Sequence, residues 1–312
     1  MNTAARIAAF GGALALAFAA AWGIGSLTGP TAPTAPTAGG GHDHAAGGHD
    51  HAAGGHDHGA GGNAPGGAAH DPGGLAATEA GYTLVLQTAS FAAGVPGELA
   101  FSITGSDGRP VTAFDVQHEK RLHLVVVRRD ATGFQHLHPE LGADGVWRTP
   151  LTLPRGGVYR AFTDFVPTGG PPLTLGTDLF VPGRFTPATP EPSRTALVDG
   201  YEIGLEGDLV AGSASQLVAR ITRDGAPVTD LEPYLGAFGH LVALRQADLA
   251  YLHVHPNSAG TPGPTDRTGP QIAFTAEVPS PGTYRLFLDF AHGGTVHTAD
   301  FTVTTADPPT AG

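Results

Sequence analysis

The segment His123-Leu-Val-Val-Val-Arg128, followed by Phe134-Gln-His136-Leu-His138-Pro139, returns as His240-Leu-Val-Ala-Leu-Arg245 followed by Tyr251-Leu-His253-Val-His255-Pro256, each position 117 residues later. The match extends in both directions. Upstream, Ile103, Asp107, Gly108, Pro110 and Val111 correspond to Ile221, Asp224, Gly225, Pro227 and Val228 with one gap. Downstream, Gly157, Tyr159, Arg160, Phe162 and Asp164 correspond to Gly282, Tyr284, Arg285, Phe287 and Asp289, now 125 residues apart. The difference falls in a Gly/Pro-rich loop from Asn257 to Pro270, the kind of surface segment that tolerates insertion. Two copies of one folding unit are expected, within a chain of 312 residues that is long enough to bury a core in each.

Each copy offers about seven short apolar stretches separated by turn signals, the pattern of a β-sandwich. In the first copy they lie near Tyr82–Leu86, Leu99–Ile103, Leu122–Arg128, Phe134–His138, Val146–Leu151, Val158–Phe165 and Asp178–Val181. The 47 glycines and 27 prolines disfavour a helical bundle and support the same conclusion. The fold class expected is all-β: two tandem Ig-like β-sandwich domains over residues 78–184 and 195–305, joined by a proline-rich linker.

Ahead of them, Ile7 to Leu27 carry no charge and follow Arg6, so residues 1–28 read as a signal-anchor or transmembrane helix. The basic end faces the cytoplasm, which makes this a single-pass cell-membrane protein with its bulk extracytoplasmic, or a secreted one if the segment is cleaved near Ala19 and Ala21. Residues 29–74 are almost entirely Pro, Thr, Ala, Gly, His and Asp, a composition that cannot bury enough apolar surface to fold. A disordered stalk is expected there. Within it, His-Asp-His repeats place His42 and His44, His49 and His51, and His56 and His58 as candidate metal ligands.

Side chains on a strand alternate faces, so His136 and His138 share one face about 7 Å apart at the backbone, as do His253 and His255. His123 and His240 precede the two pairs by equal intervals and complete a triad in each copy. In the second copy Asp289, His292 and His297 follow, making His240, His253, His255, Asp289, His292 and His297 one possible shell and the stronger site. The first copy lacks the two late histidines, and His118 is the candidate replacement beside His123, His136 and His138. The competing view is structural: the histidines pack or form a pH-sensitive network, and Arg160 with Asp164, or Arg285 with Asp289, simply pair on a sheet face. In that case the domains form a membrane-tethered interaction module.

Imidazole suits Zn²⁺ and Cu²⁺, while the absence of cysteine and the single Met1 leave no thiolate or thioether site for Cu(I). A net charge of −12 and a pI near 5.6 exclude a nucleic-acid partner, which needs a basic stripe, and favour cations. Serine-hydrolase, Walker and His-Glu-x-x-His patterns are absent, so a binding role is expected instead of an enzyme. The stretch from His118 through Pro139, and its second copy from Tyr234 through Pro256 to Phe301, resembles a family of exported, mostly uncharacterised bacterial proteins often encoded among heavy-metal genes. That resemblance covers roughly residues 81 to 303 and implies a setting in metal handling but no established reaction; the partners expected are a metal ion, the membrane through the N-terminal helix and a membrane metal transporter.

Overall fold

The computed structural model describes residues 73–257 and 260–306, except for the side chains of His253 and His255. The expected N-terminal helix and most of the histidine-rich stalk lie outside the described residues. Among the described residues no helix is long and apolar enough to cross a membrane.

The described chain is all-β, as two tandem Ig-like sandwiches. The first copy contains β1 (Thr78–Glu79), β2 (Tyr82–Leu86), β3 (Gly97–Thr104), β4 (Phe114–Asp115), β5 (Leu122–Arg128), β6 (Gln135–Leu137), β7 (Glu140–Leu141), β8 (Trp147–Leu151), β9 (Gly157–Pro167) and β10 (Leu173–Val181). One sheet runs β1-β2-β3-β8-β7 and the other β10-β9-β5-β6, with β4 paired to β9. Leu99, Phe101, Ile103, Leu124, Trp147 and Tyr159 fill the space between them.

The second copy contains β11 (Thr195–Val198), β12 (Tyr201–Glu206), β13 (Ala214–Arg223), β14 (Ala226–Pro227), β15 (His240–Arg245), β16 (Tyr251–Pro256), β17 (Gln271–Glu277), β18 (Thr283–His292) and β19 (Thr295–Thr304). Here the two layers are continuous, because β16 pairs with β15 through Tyr251–His253 and with β17 through Val254–Pro256. In the first copy the same stretch is interrupted: β6 belongs to one sheet and β7 to the other. The His-x-His-Pro sequence therefore marks the corner at which a strand leaves one layer for the other, and proline, which has no N–H to give a ladder, suits that place.

Strands β5 and β15 read as unbroken apolar runs, the mark of a strand covered on both faces. Every residue of β5 is buried. Leu122, Leu124 and Val126 face their own sandwich, whereas Val125 and Val127 join Phe162 against Val242, Leu244, Tyr251 and Phe287 of the second copy. Phe134 stacks on Phe287 with centroids 4.1 Å apart, and Phe162 meets Tyr251 at 5.5 Å. Phe134 is the counterpart of Tyr251, and Phe162 of Phe287, so the copies meet about an approximate twofold with the contacts exchanged.

Gly73 and Gly74, at the C-terminal limit of the expected stalk, are bound to the folded copies. Gly73 bridges to Tyr251, and the Gly74 carbonyl accepts hydrogen bonds from Arg160 Nε and Nη2 at 2.9 and 2.6 Å. Gly74 has φ +74°, and a Cβ there would collide with the Phe162 ring, so the buried guanidinium and the lack of a side chain together hold this point. The linker spans the residues between β10 and β11, which carry no strand.

Candidate metal centre

Two matching tight turns prepare the site. Gln117 and Lys120 exchange both backbone hydrogen bonds, as do Tyr234 and Ala237. The central residues His118 and Glu119, like Leu235 and Gly236, all have positive φ, as a type I′ turn requires. Three of the four are not glycine, and such backbone strain persists only where surroundings impose it. Each turn presents one carbonyl to the histidine six residues later: His123 Nε2 donates to Gln117 O at 3.0 Å, and His240 Nε2 to Tyr234 O at 2.8 Å.

The next ring is fixed across the interface. His136 Nδ1 lies 2.7 Å from Asp289 Oδ2, a carboxylate of the second copy, whose Oδ1 accepts a bond from the Thr298 hydroxyl at 2.6 Å. Both partners are nearly inaccessible, with side chains 7% and 4% exposed. Carbonyl and carboxylate oxygens only accept, so in the neutral rings His123 carries its hydrogen on Nε2 and His136 on Nδ1. Their remaining nitrogens, His123 Nδ1 and His136 Nε2, are then bare lone pairs 3.1 Å apart. His138 completes the group, its ring 4.8 Å from that of His136 and 5.1 Å from that of His123. Its Nε2 is buried with no hydrogen-bond partner. One nitrogen from each of the three rings lies within 4.8 Å of the others.

Burial keeps protons off His123, His138 and His240. It pulls His123 from 6.5 to about 4, opposed by the bond to Gln117 and reinforced by His136. His138 falls to about 3 through burial and the neighbouring His136 and His123. His240 falls to about 4, again chiefly by burial, opposed by the Tyr234 carbonyl and reinforced by His118 and His136. The rings of His118 and His240 are 5.4 Å apart, and those of His118 and His123 6.1 Å, so His118 stands between the copies.

A domain of unknown function, DUF8832, matches residues 76–176 and 196–307, one segment over each copy. The chain belongs to the DUF8832 family. No curated protein matches its sequence. Among solved structures, the Escherichia coli adhesin FdeC is 13% identical over 73% of this chain and 64% of its own, with a TM-score of 0.24. Invasin, a bacterial integrin-binding protein, is 12% identical over 73% of this chain and 39% of its own, with a TM-score of 0.22. The chain thus spans less than two thirds of either structure.

The DUF8832 duplication groups its histidines differently from the sequence expectation. The shell expected within the second copy is divided, because Asp289 and His292 lie on opposite faces of β18. Arg285, Phe287 and Asp289 face the first copy, while Leu286, Leu288 and Phe290 face their own core. His292 lies on that second side, where Nδ1 is 2.6 Å from the Tyr201 hydroxyl and Nε2 3.0 Å from Asp230. His297, opposite Phe290 in the ladder, packs at a tilt against Tyr201 and pairs with Asp199 at 2.8 Å. These two form a polar end to the second sandwich, apart from the His123, His136 and His138 group.

Nor do the arginines pair as the structural alternative supposed. Arg160 pairs with Asp178 at 3.0 Å and Arg285 with Asp300, which leaves Asp289 to His136. His42, His44, His49, His51, His56 and His58 lie outside the described residues. Sequence reasoning missed Gln117 O, Tyr234 O and Thr298 as orienting groups. The available signal was the equal six-residue interval before His123 and His240.

Proposed function

We propose that this DUF8832 protein binds a transition metal, Zn²⁺ or Cu²⁺, outside the cytoplasm, for buffering, resistance or delivery. The observation that carries the proposal is the facing pair of bare nitrogens on His123 and His136, 3.1 Å apart. Two lone pairs at that distance repel unless a cation lies between them. Burial lowers His123 to about 4 and His138 to about 3, so both rings are neutral and free to ligate at neutral pH. A divalent ion suits the arrangement: bonds of about 2.0–2.1 Å place tetrahedral ligand nitrogens about 3.3 Å apart, a spacing that modest side-chain adjustment reaches. Asp289 and the Gln117 carbonyl supply the outer hydrogen bonds that metal-bound imidazoles characteristically make.

The His-Asp-His repeats then serve as a weak, fast-exchanging capture segment, and the apolar stretch after Arg6 tethers the protein to the membrane, near a metal transporter. Binding, not catalysis, is the role proposed, since no sequence pattern for hydrolysis or group transfer accompanies the histidines.

The buried His136–Asp289 pair favours one competing reading, in which the histidines are a pH-sensitive latch between the two copies of an interaction module. Calorimetric titration separates the two. Protein with alanine at His42, His44, His49, His51, His56 and His58 is titrated with Zn²⁺ and with Cu²⁺. Saturable binding tighter than about 1 mM supports the metal reading, and its absence for both ions defeats it.

A further inference from the structure

We infer that the cavity beside His123 takes a small organic carboxylate, which completes the coordination of the ion held by His123, His136 and His138. The inference rests on the metal reading of that site and names the class of molecule that accompanies the metal.

Three imidazoles fill three of the four positions that Zn²⁺ takes, and three protein ligands leave the fourth to a water or an outside molecule. Two spaces meet at this point. The smaller, of about 30 Å³, is lined by both His123 and His136, together with His118, His240 and Asp164, so an ion between the two facing nitrogens borders it. It has room for about one water-sized group. The larger, of about 580 Å³, shares His118, His123 and Asp164 with the first. A bare ion needs far less, and roughly 300–1,000 Å³ is the range of sites for small molecules.

The lining selects the ligand. Lys120 and Arg121 bring two permanent cations to the larger space, against the carboxylate of Asp164, which accepts a bond from the Thr174 hydroxyl at 3.4 Å. A divalent ion among neutral rings adds further positive charge. Burial, then the His136 and His123 rings, and then the Lys120 ammonium keep the proton off His138, so Lys120 stands within electrostatic reach of the ligand rings. Arg121 is exposed, and a guanidinium grips a carboxylate through two parallel N–H groups. Phe165, Val166, Pro172 and Leu173 supply an apolar wall, which suits a hydrocarbon body better than a bare inorganic anion. A carboxylate with an apolar body meets all of these conditions: one oxygen on the ion in the small space, the charge toward Lys120 and Arg121, and the body against the apolar wall.

The test uses the full chain with the stalk histidines replaced by alanine, loaded with Zn²⁺ or with Cu²⁺, freed of excess by gel filtration and titrated calorimetrically with benzoate. One saturable event per chain is expected, at least about 10-fold tighter than on the metal-free protein. Benzamide, which has the same shape without the charge, should not bind measurably. Lys120→Ala combined with Arg121→Ala, confirmed folded by circular dichroism, should weaken benzoate about 10-fold or more while the ion stays bound. Loaded protein that ignores benzoate, equal affinity with and without the ion, equal affinity for benzamide, or an affinity unmoved by the double substitution overturns the inference. Protein that retains neither ion fails one step earlier, defeating the metal site itself and with it the anchor of the carboxylate.

Discussion

His123 and His136 stand with Nδ1 and Nε2 3.1 Å apart, although the Gln117 carbonyl and the Asp289 carboxylate draw the only hydrogens of the neutral rings to their far sides. The contact joins a strand to its corner neighbour, but the hydrogen bond that orients it crosses to the other copy. Whatever the His123–His136 pair binds is therefore coupled to domain docking.

Asp289→Asn should weaken metal binding 10- to 100-fold without removing any of the three nitrogens, because an amide orients His136 less strongly than a carboxylate does. Replacement by Ala, which leaves the buried His136 Nδ1–H without its acceptor, should also lower stability by about 1–3 kcal/mol. Titration and urea denaturation of both variants check this pair of outcomes.

His138→Ala removes a buried nitrogen that makes no hydrogen bond. The metal-free melting temperature should change little, while the rise in melting temperature on adding Zn²⁺ should shrink or vanish. Thermal unfolding with and without metal is decisive, since a packing role would produce a large loss in the metal-free protein.

Acid should destabilise the metal-free protein through the same rings. The folded values of His123, His138 and His240, about 4, 3 and 4, lie below their ordinary 6.5. Between those limits the unfolded chain binds more protons, so this contribution to stability is fully present above about pH 6.5 and is lost as the pH falls toward 4. Denaturation midpoints from pH 7.5 to 4 should fall across that window and recover in part on adding Zn²⁺.

Phe287→Ala deletes a buried ring from the interface and the stacking partner of Phe134. A loss of about 3–5 kcal/mol is expected. Asp289 lies two residues along the same face of β18, so metal affinity should fall too, although no ligand has been touched. Chemical denaturation and titration measure the two effects separately.

Much of the fold was legible because its signals are local. Tyr82–Leu86 and Leu122–Arg128 were expected as strands and have those limits. The insertion that distinguishes the second copy from the first lies in the expected loop between β16 and β17, since Gly and Pro mark turns wherever they occur. Alternation along an extended backbone puts His136 and His138 on one face, and their rings lie 4.8 Å apart. The same alternation separates Asp289 from His292, and overlooking it produced the shell expected within the second copy.

The sequence by itself determined that one sandwich is built twice and that each copy carries a histidine thirteen residues ahead of a His-x-His-Pro pair. Only the tertiary structure decided that β5 is covered by the other copy, and hence that the carboxylate beside His136 is Asp289 and not its own Asp164. The physical reason is that strand, turn and face follow from neighbours a few residues apart. Docking depends on the whole shape of two sheets, and nothing in residues 123 to 139 encodes where a side chain 153 residues beyond His136 will arrive.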